Sequence, residues 1–199
     1  MPTSKKPNLF IRITHLKHLL NRFLLIFFLS ILLISFSKGQ EKKPLFMGLQ
    51  PAITQERNYE KDEFDVNVFP LVFQMGISKQ FDIRFTSIVN YHIGNENGFS
   101  DIGLNTVVPY FFKRKEDRMA PSSGIYLGPA LGLGNNFLDD HGTVTLAAEG
   151  GYMFPATKRF TLALSMQLGG SYFVYSDQPN SWTNHFGIKI NLGWWLRKD

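Results

Sequence analysis

Three charged residues, Arg84, Glu149 and Lys189, each interrupt a stretch in which apolar and polar residues alternate. All three fall on the polar parity of their stretch, so in a β-structure they would share one face of a sheet. Charges gathered on an enclosed face must be paired and hydrogen-bonded, because taking an unpaired charge out of water is costly. An interior polar cluster of this kind can act as a plug that fixes strand register or as a gate that admits ions. A second set is His92, His141 and His185 with Ser100, Asp139, Asp140 and Asp177. Histidine near serine and carboxylates could serve acyl chemistry, and histidine with carboxylates could hold a metal. No Gly-x-Ser-x-Gly elbow and no metal-ligand spacing accompanies them, so they are expected to be solvated rim residues. No catalytic, cofactor-binding or metal-binding residue is assigned.

The elements that must position these residues are strands. Period-2 alternation recurs in eight segments, 45–54, 64–78, 81–93, 102–112, 124–134, 143–154, 160–175 and 185–196, separated by clusters of Gly, Asn, Asp and Pro. In the third, Phe81, Ile83, Phe85, Val89, Tyr91 and Ile93 share one face, and Asp82, Arg84, Thr86, Asn90 and His92 share the other. In the eighth, Phe186, Ile188, Ile190, Leu192, Trp194 and Leu196 oppose Gly187, Lys189, Asn191, Gly193 and Trp195.

Alternation alone does not say which face meets solvent. A soluble lipocalin-like barrel turns its apolar face inward, whereas a membrane barrel turns it outward. The apolar face of the eight segments carries no charge, and the opposite face carries Asp65, Asp82, Arg84, Glu149 and Lys189 among small polar residues. A water-facing surface usually runs at roughly 25–35% charged residues. The polar face therefore reads as a tightly packed interior, and the fold class expected is all-β, an eight-stranded antiparallel up-and-down transmembrane barrel. An interior just wide enough for side chains makes the plug the expected role of Arg84, Glu149 and Lys189. On the fifth segment Gly128, Ala130, Gly132 and Gly134 would make room for larger neighbours such as Tyr126.

The connections sort by charge. Residues 55–63, 94–101, 135–142 and 176–184 hold nine acids and two bases, whereas 79–80, 113–123, 155–159 and 197–199 hold nine bases and three acids. Strands running up and down deliver alternate connections to opposite ends, which is the parity of this sorting. Every segment reaches the roughly 9–11 residues a tilted spanning strand needs. Tyr110, Phe112, Tyr152, Phe154, Trp194 and Trp195 lie toward the basic end, with Tyr91 and Tyr172 toward the acidic one, as interfacial girdles would. Pro70, Pro109 and Pro129 each remove a ladder donor, so bulges are expected, with a parity shift at Val68 and Phe69 marking the first.

The formal charge of +5 suggests a polyanion partner, but the first 39 residues hold six Lys or Arg and no acid. From Gln40 onward 15 bases face 16 acids, which removes the case for nucleic acid. With no cysteine there are no disulfides or thiolate metal sites. Lys5, Lys6, Arg12, Lys17 and Arg22 precede the apolar run Phe23 to Ile34, and Ser37 and Gly39 supply a small-x-small site. Residues 1–39 thus read as a cleaved signal peptide of the general secretory pathway and 40–199 as the barrel domain. An uncleaved anchor ranks second, because the run falls short of roughly 20 apolar residues. The run Lys113, Arg114, Lys115, Glu116, Asp117, Arg118 reads as a solvated turn, with docking of a periplasmic partner as the alternative.

In the last segment His185, Gly187, Ile190 and Leu192 fit a polar-x-Gly-x-x-apolar-x-apolar pattern. On that motif and the pattern of 45–196, the chain resembles the small outer-membrane β-barrel families of Gram-negative bacteria, the OmpA/OmpX-like and porin-like outer membrane protein beta-barrel domain group. The resemblance implies that these four residues form an assembly signal. It also implies outer-membrane lipid, the barrel assembly machinery and periplasmic chaperones as partners, and it names no substrate or cofactor. The function expected is non-enzymatic, with a structural, surface-contact or limited-permeation role. The alternatives are a lipid-modifying barrel enzyme (acyltransferase or deacylase) and a secreted lipocalin-like binding barrel.

Overall fold

A computed structural model describes residues 44–51, 53–54, 64–94, 97–115, 120–138, 140–155 and 159–196, all within one compact unit, Lys42–Asp199. The segment read as a signal peptide, 1–39, lies outside the described residues, as do connection 55–63, Glu116, Asp117, Arg118 and Asp139. No helix occurs among the described residues.

The chain forms eight staves. They are β1 (Leu45–Leu49 and Ile53–Thr54), β2 (Phe64–Asn67 and Leu71–Gly76), β3 (Asp82–Ile93), β4 (Gly98–Val107 and Tyr110–Phe111), β5 (Gly124–Asn136), β6 (His141–Met153), β7 (Phe160–Tyr175) and β8 (Ser181–Leu196). Each pairs antiparallel with its neighbours in sequence, and β1 also pairs with β8, from Leu45 opposite Leu196 to Leu49 opposite Leu192. The sheet is therefore closed, and no edge is left to template aggregation. Most boundaries fall within two residues of the sequence reading, and the two largest differences are that β4 begins at Gly98 rather than 102 and β8 at Ser181 rather than 185. The polar residues before each start pair across the ladder, Thr183 with Ser171 and Asn184 with Gly170 among them.

The prolines are accommodated in different ways. Residues 68–70 leave the β2 ladder, and side chains replace the lost bonds. Asn67 Nδ2 donates to Ser87 O at 3.0 Å, Leu71 N–H donates to Ser87 Oγ at 3.0 Å, and Ser87 Oγ donates to Phe69 O at 2.5 Å. Pro109 splits β4. Pro129 stays in an unbroken β5–β6 register opposite Ala148. Its carbonyl accepts from Val108 N–H at 3.0 Å, so its absent N–H would have pointed at β4 where that stave is already interrupted. The two prolines thus share one defect. Gly128 serves the same defect and not Tyr126, because a Cβ there would fall 2.1 Å from Val108 O. The glycine that admits Tyr126 is Gly151, whose Cβ would lie 2.8 Å from the Tyr126 ring.

Inside and outside follow the parity. The staves contain six charged residues, Asp65, Asp82, Arg84, Asp101, Glu149 and Lys189, and each sits on the interior face. The outward face carries large apolar side chains that no other described residue covers, Leu131, Leu146, Leu164, Leu168, Phe186 and Ile188 among them. Trp194 and Trp182 both face outward on β8, twelve residues apart. At roughly 3.3 Å per residue and a tilt of about 40°, they stand about 30 Å apart along the barrel axis, the thickness of a hydrocarbon core. Trp195 departs from the girdle expected of it: it points inward and is fully buried. There it joins Phe46, Val72, Phe111, Tyr126, Met153 and Ala163 in an apolar plug at the basic end of the lumen.

Candidate functional site: the polar interior

Above the apolar plug, the structure brings Arg84, Glu149 and Lys189 together from β3, β6 and β8. Arg84 Nη1 lies 2.6 Å from Glu149 Oε1, and Lys189 Nζ lies 4.0 Å from Glu149 Oε2. Glu149 is further held by Tyr126 OH, which donates to Oε1 at 2.9 Å, and by Gln167 Nε2, which donates to Oε2 at 2.7 Å. Arg84 stacks over the Tyr126 ring at 5.1 Å and donates from Nε to Gln74 Oε1 at 2.8 Å. Arg84 and Glu149 are each about 1% exposed, so this pair operates where water screens little.

The network continues toward the basic end. Gln74 Nε2 donates to Asp82 Oδ2 at 2.6 Å, Ser122 Oγ donates to the same carboxylate, and Lys115 Nζ lies 2.8 Å from Asp82 Oδ1. The burial of Lys115 corrects the reading of its run as a solvated turn. Lys113 and Arg114 are exposed, but Lys115 is folded into the lumen. Backbone bonds seat it there: Phe111 N–H donates to Gln80 O at 2.7 Å, and Lys115 N–H donates to Lys79 O at 3.1 Å. The connection after β4 is thereby drawn against the turn before β3. Seven side chains from the basic mouth to mid-barrel, Lys115, Asp82, Gln74, Arg84, Tyr126, Glu149 and Gln167, form one hydrogen-bonded chain. Glutamines are the links, and no parity argument marks a glutamine as a bridge between charges.

The histidines do not converge. His92 Nδ1 lies 3.0 Å from Asp65 Oδ1, and nearby Asn90 Nδ2 donates to Asp101 Oδ2 at 3.2 Å. His141 packs against Phe173 and Tyr175, each at 5.0 Å between ring centroids. His185 Nε2 contacts Gln167 Oε1 at 3.2 Å and so joins the central network. Ser100 is buried at a β-bulge opposite Asn90 and Tyr91. Asp140 and Asp177 lie at the hairpin tips. Among the described residues no group of three or more His, Asp or Glu is arranged to hold a metal ion.

Toward the acidic end the interior is less filled. The inward residues Gly132, Gly134, Thr145, Ala147, Gly169 and Thr183 retain partial exposure although they sit inside the barrel. They form a vestibule lined by small side chains, and Lys189 and His185 lie at its floor. Of the residues read as an assembly signal, Gly187 faces the interior between His185 and Lys189, whereas Ile190 and Leu192 face outward.

No family model matches the sequence, and no curated protein matches it. One solved structure to which it is similar is the solution NMR structure of the de novo designed protein TMB2.3. The identity is 10%, with 80% of this chain and 100% of that one covered and a TM-score of 0.37.

Proposed function

We propose that this chain is an integral outer-membrane β-barrel, exported through the general secretory pathway, whose filled interior suits a structural or surface-contact role. One observation carries the reading. All six charged stave residues are inside, and the outward face is apolar between two aromatic belts. A surface of that kind is stable in hydrocarbon and aggregates in water. A lipocalin-like binding barrel needs the reverse arrangement, an apolar cavity within a charged exterior, and is disfavoured by the ion network at the centre. A lipid-modifying enzyme is disfavoured because the three histidines belong to separate contact sets. The lumen, blocked at the basic end by the ring plug and at mid-barrel by the Arg84–Glu149 pair, leaves at most limited permeation. Lipid, the barrel assembly machinery and periplasmic chaperones are the partners that this reading requires.

Orientation follows from the connections, with the short basic turns in the periplasm and the acidic hairpin tips outside. The natural chain has no cysteine, so single substitutions report cleanly. In intact cells, Leu138→Cys should react with an impermeant maleimide, and Lys113→Cys should react only after the envelope is opened. The reverse pattern would invert the barrel, and a signal from both in a soluble fraction would remove it from the membrane.

A further inference from the structure

Mid-barrel charge is unbalanced. Two basic side chains, Arg84 and Lys189, face one carboxylate, Glu149, whose oxygens already accept from Arg84, Tyr126 and Gln167. Lys189 reaches Glu149 only at 4.0 Å, and its side chain keeps 14% exposure toward the vestibule. Glu149 and Arg84 are the charged groups that act most on Lys189, with the His185 imidazole beside it. The other interior carboxylates are engaged elsewhere, Asp82 with Lys115, Asp65 with His92 and Asp101 with Asn90. Arg84 Nη2 is also buried with no hydrogen-bond partner among the described residues. A low-dielectric pocket with excess positive charge and spare donors attracts a counter-anion.

The partly exposed inward residues Gly132, Gly134, Thr145, Ala147, Gly169 and Thr183 give access to this pocket from the acidic mouth. Gly187 lies directly beneath: a Cβ built there would be 3.7 Å from His185 Nε2 and 3.9 Å from Lys189 Cε, so both side chains lean over one bare stretch of backbone. We propose that Lys189, flanked by His185 over Gly187, forms a site for one small monovalent anion, a halide or a compact carboxylate such as formate, entering from the acidic mouth. The acids at that mouth do not cancel the attraction. Between Tyr175, beside Asp177, and Gln167, at the floor, β7 runs eight residues. That is about 26 Å along the strand, and Asp140 and Asp177 at that mouth are exposed to water and salt, which screen them. The site follows from interior geometry and stands whether or not the exterior faces lipid.

The test is thermal unfolding of the folded full barrel in detergent, with chloride or formate replacing gluconate at constant ionic strength. Stabilisation should saturate, with the folding equilibrium shifted about elevenfold when the anion is in tenfold excess over its Kd. Chloride and formate arms acting separately identify which anion the site takes. Lys189→Met should abolish the response, and Lys189→Arg should retain it. Gly187→Leu, which keeps the charge but fills the space above the backbone, should abolish it too. Chloride NMR linewidth on the unmodified protein gives a second readout, broadened by the barrel and restored when formate competes. Absence of any anion dependence and of broadening in the unmodified protein overturns the site. An unchanged response in both Lys189→Met and Gly187→Leu overturns it equally, by placing the anion elsewhere.

Discussion

Glu149→Ala should destabilise the folded barrel by about 3–5 kcal/mol, the cost of leaving a buried charge without its partner. The residue is the acceptor for three donors, Arg84 Nη1 at 2.6 Å, Tyr126 OH at 2.9 Å and Gln167 Nε2 at 2.7 Å. Truncation therefore strands a guanidinium about 1% exposed as well as two neutral donors. Arg84→Ala should cost a similar amount, and the double variant should cost much less than the two together, because the survivor of each single change is the penalised group. Lys189→Ala should cost far less, since its contact is 4.0 Å and partly solvated. Equilibrium unfolding in vesicles, run as a double-mutant cycle, gives these energies directly. Conductance on the same proteins separates plug from gate. Removing Glu149 leaves Phe46, Phe111, Met153 and Trp195 across the basic end, so no variant should pass appreciable current. A clear rise in current on losing one partner would make the cluster a gate.

Trp195→Ala should also cost about 3–5 kcal/mol, the range for deleting a large buried ring. Trp195 is fully buried against Phe46, with 5.5 Å between ring centroids. The void would open inside the plug, among Phe46, Val72, Phe111, Tyr126, Met153 and Ala163, which are themselves fully or almost fully buried. Trp195→Phe should be much milder, below about 1.5 kcal/mol, since it keeps most of the volume and removes an indole N–H that is buried without a partner among the described residues. Equal losses for the two variants, measured by the same unfolding experiment, would mean that ring volume is not what Trp195 contributes.

How much of this was legible beforehand differs by feature. Inside and outside were legible because parity is binary and charge is unambiguous: Asp82 and Arg84 on β3 and Lys189 on β8 fix the interior face of whole staves. That Arg84 meets Glu149 was not, because parity gives a face and no depth, and depth depends on the register of the three pairings between β3 and β6 on one side of the barrel and the five on the other. Trp195 shows two signals in conflict. Its parity with Gly193 and Asn191 placed it inside, while its residue type and its neighbour Trp194 suggested a girdle; the ring packs inward against Phe46 in the plug. Lys115 could not have been found locally, since Lys113 and Arg114 are exposed and only backbone bonds to Lys79 and Gln80, distant in sequence, turn the third base inward. Starts of β4 and β8 were missed for another reason. Ser181, Thr183 and Asn184 have the composition of a turn, yet their partners on β7 continue the ladder past them.

The central claim is that the apolar exterior faces hydrocarbon, and the chain's three tryptophans allow one measurement to test it. Single-tryptophan versions retaining Trp194 or Trp195 differ by one residue in sequence and by opposite sides of the barrel wall in space. In vesicles containing brominated acyl chains, Trp194 fluorescence should be strongly quenched by the lipid and weakly by aqueous acrylamide, while Trp195 should resist both. Acrylamide quenching of Trp194 with no effect of brominated lipid would contradict the account, since that ring would then face water on the outside of a soluble barrel.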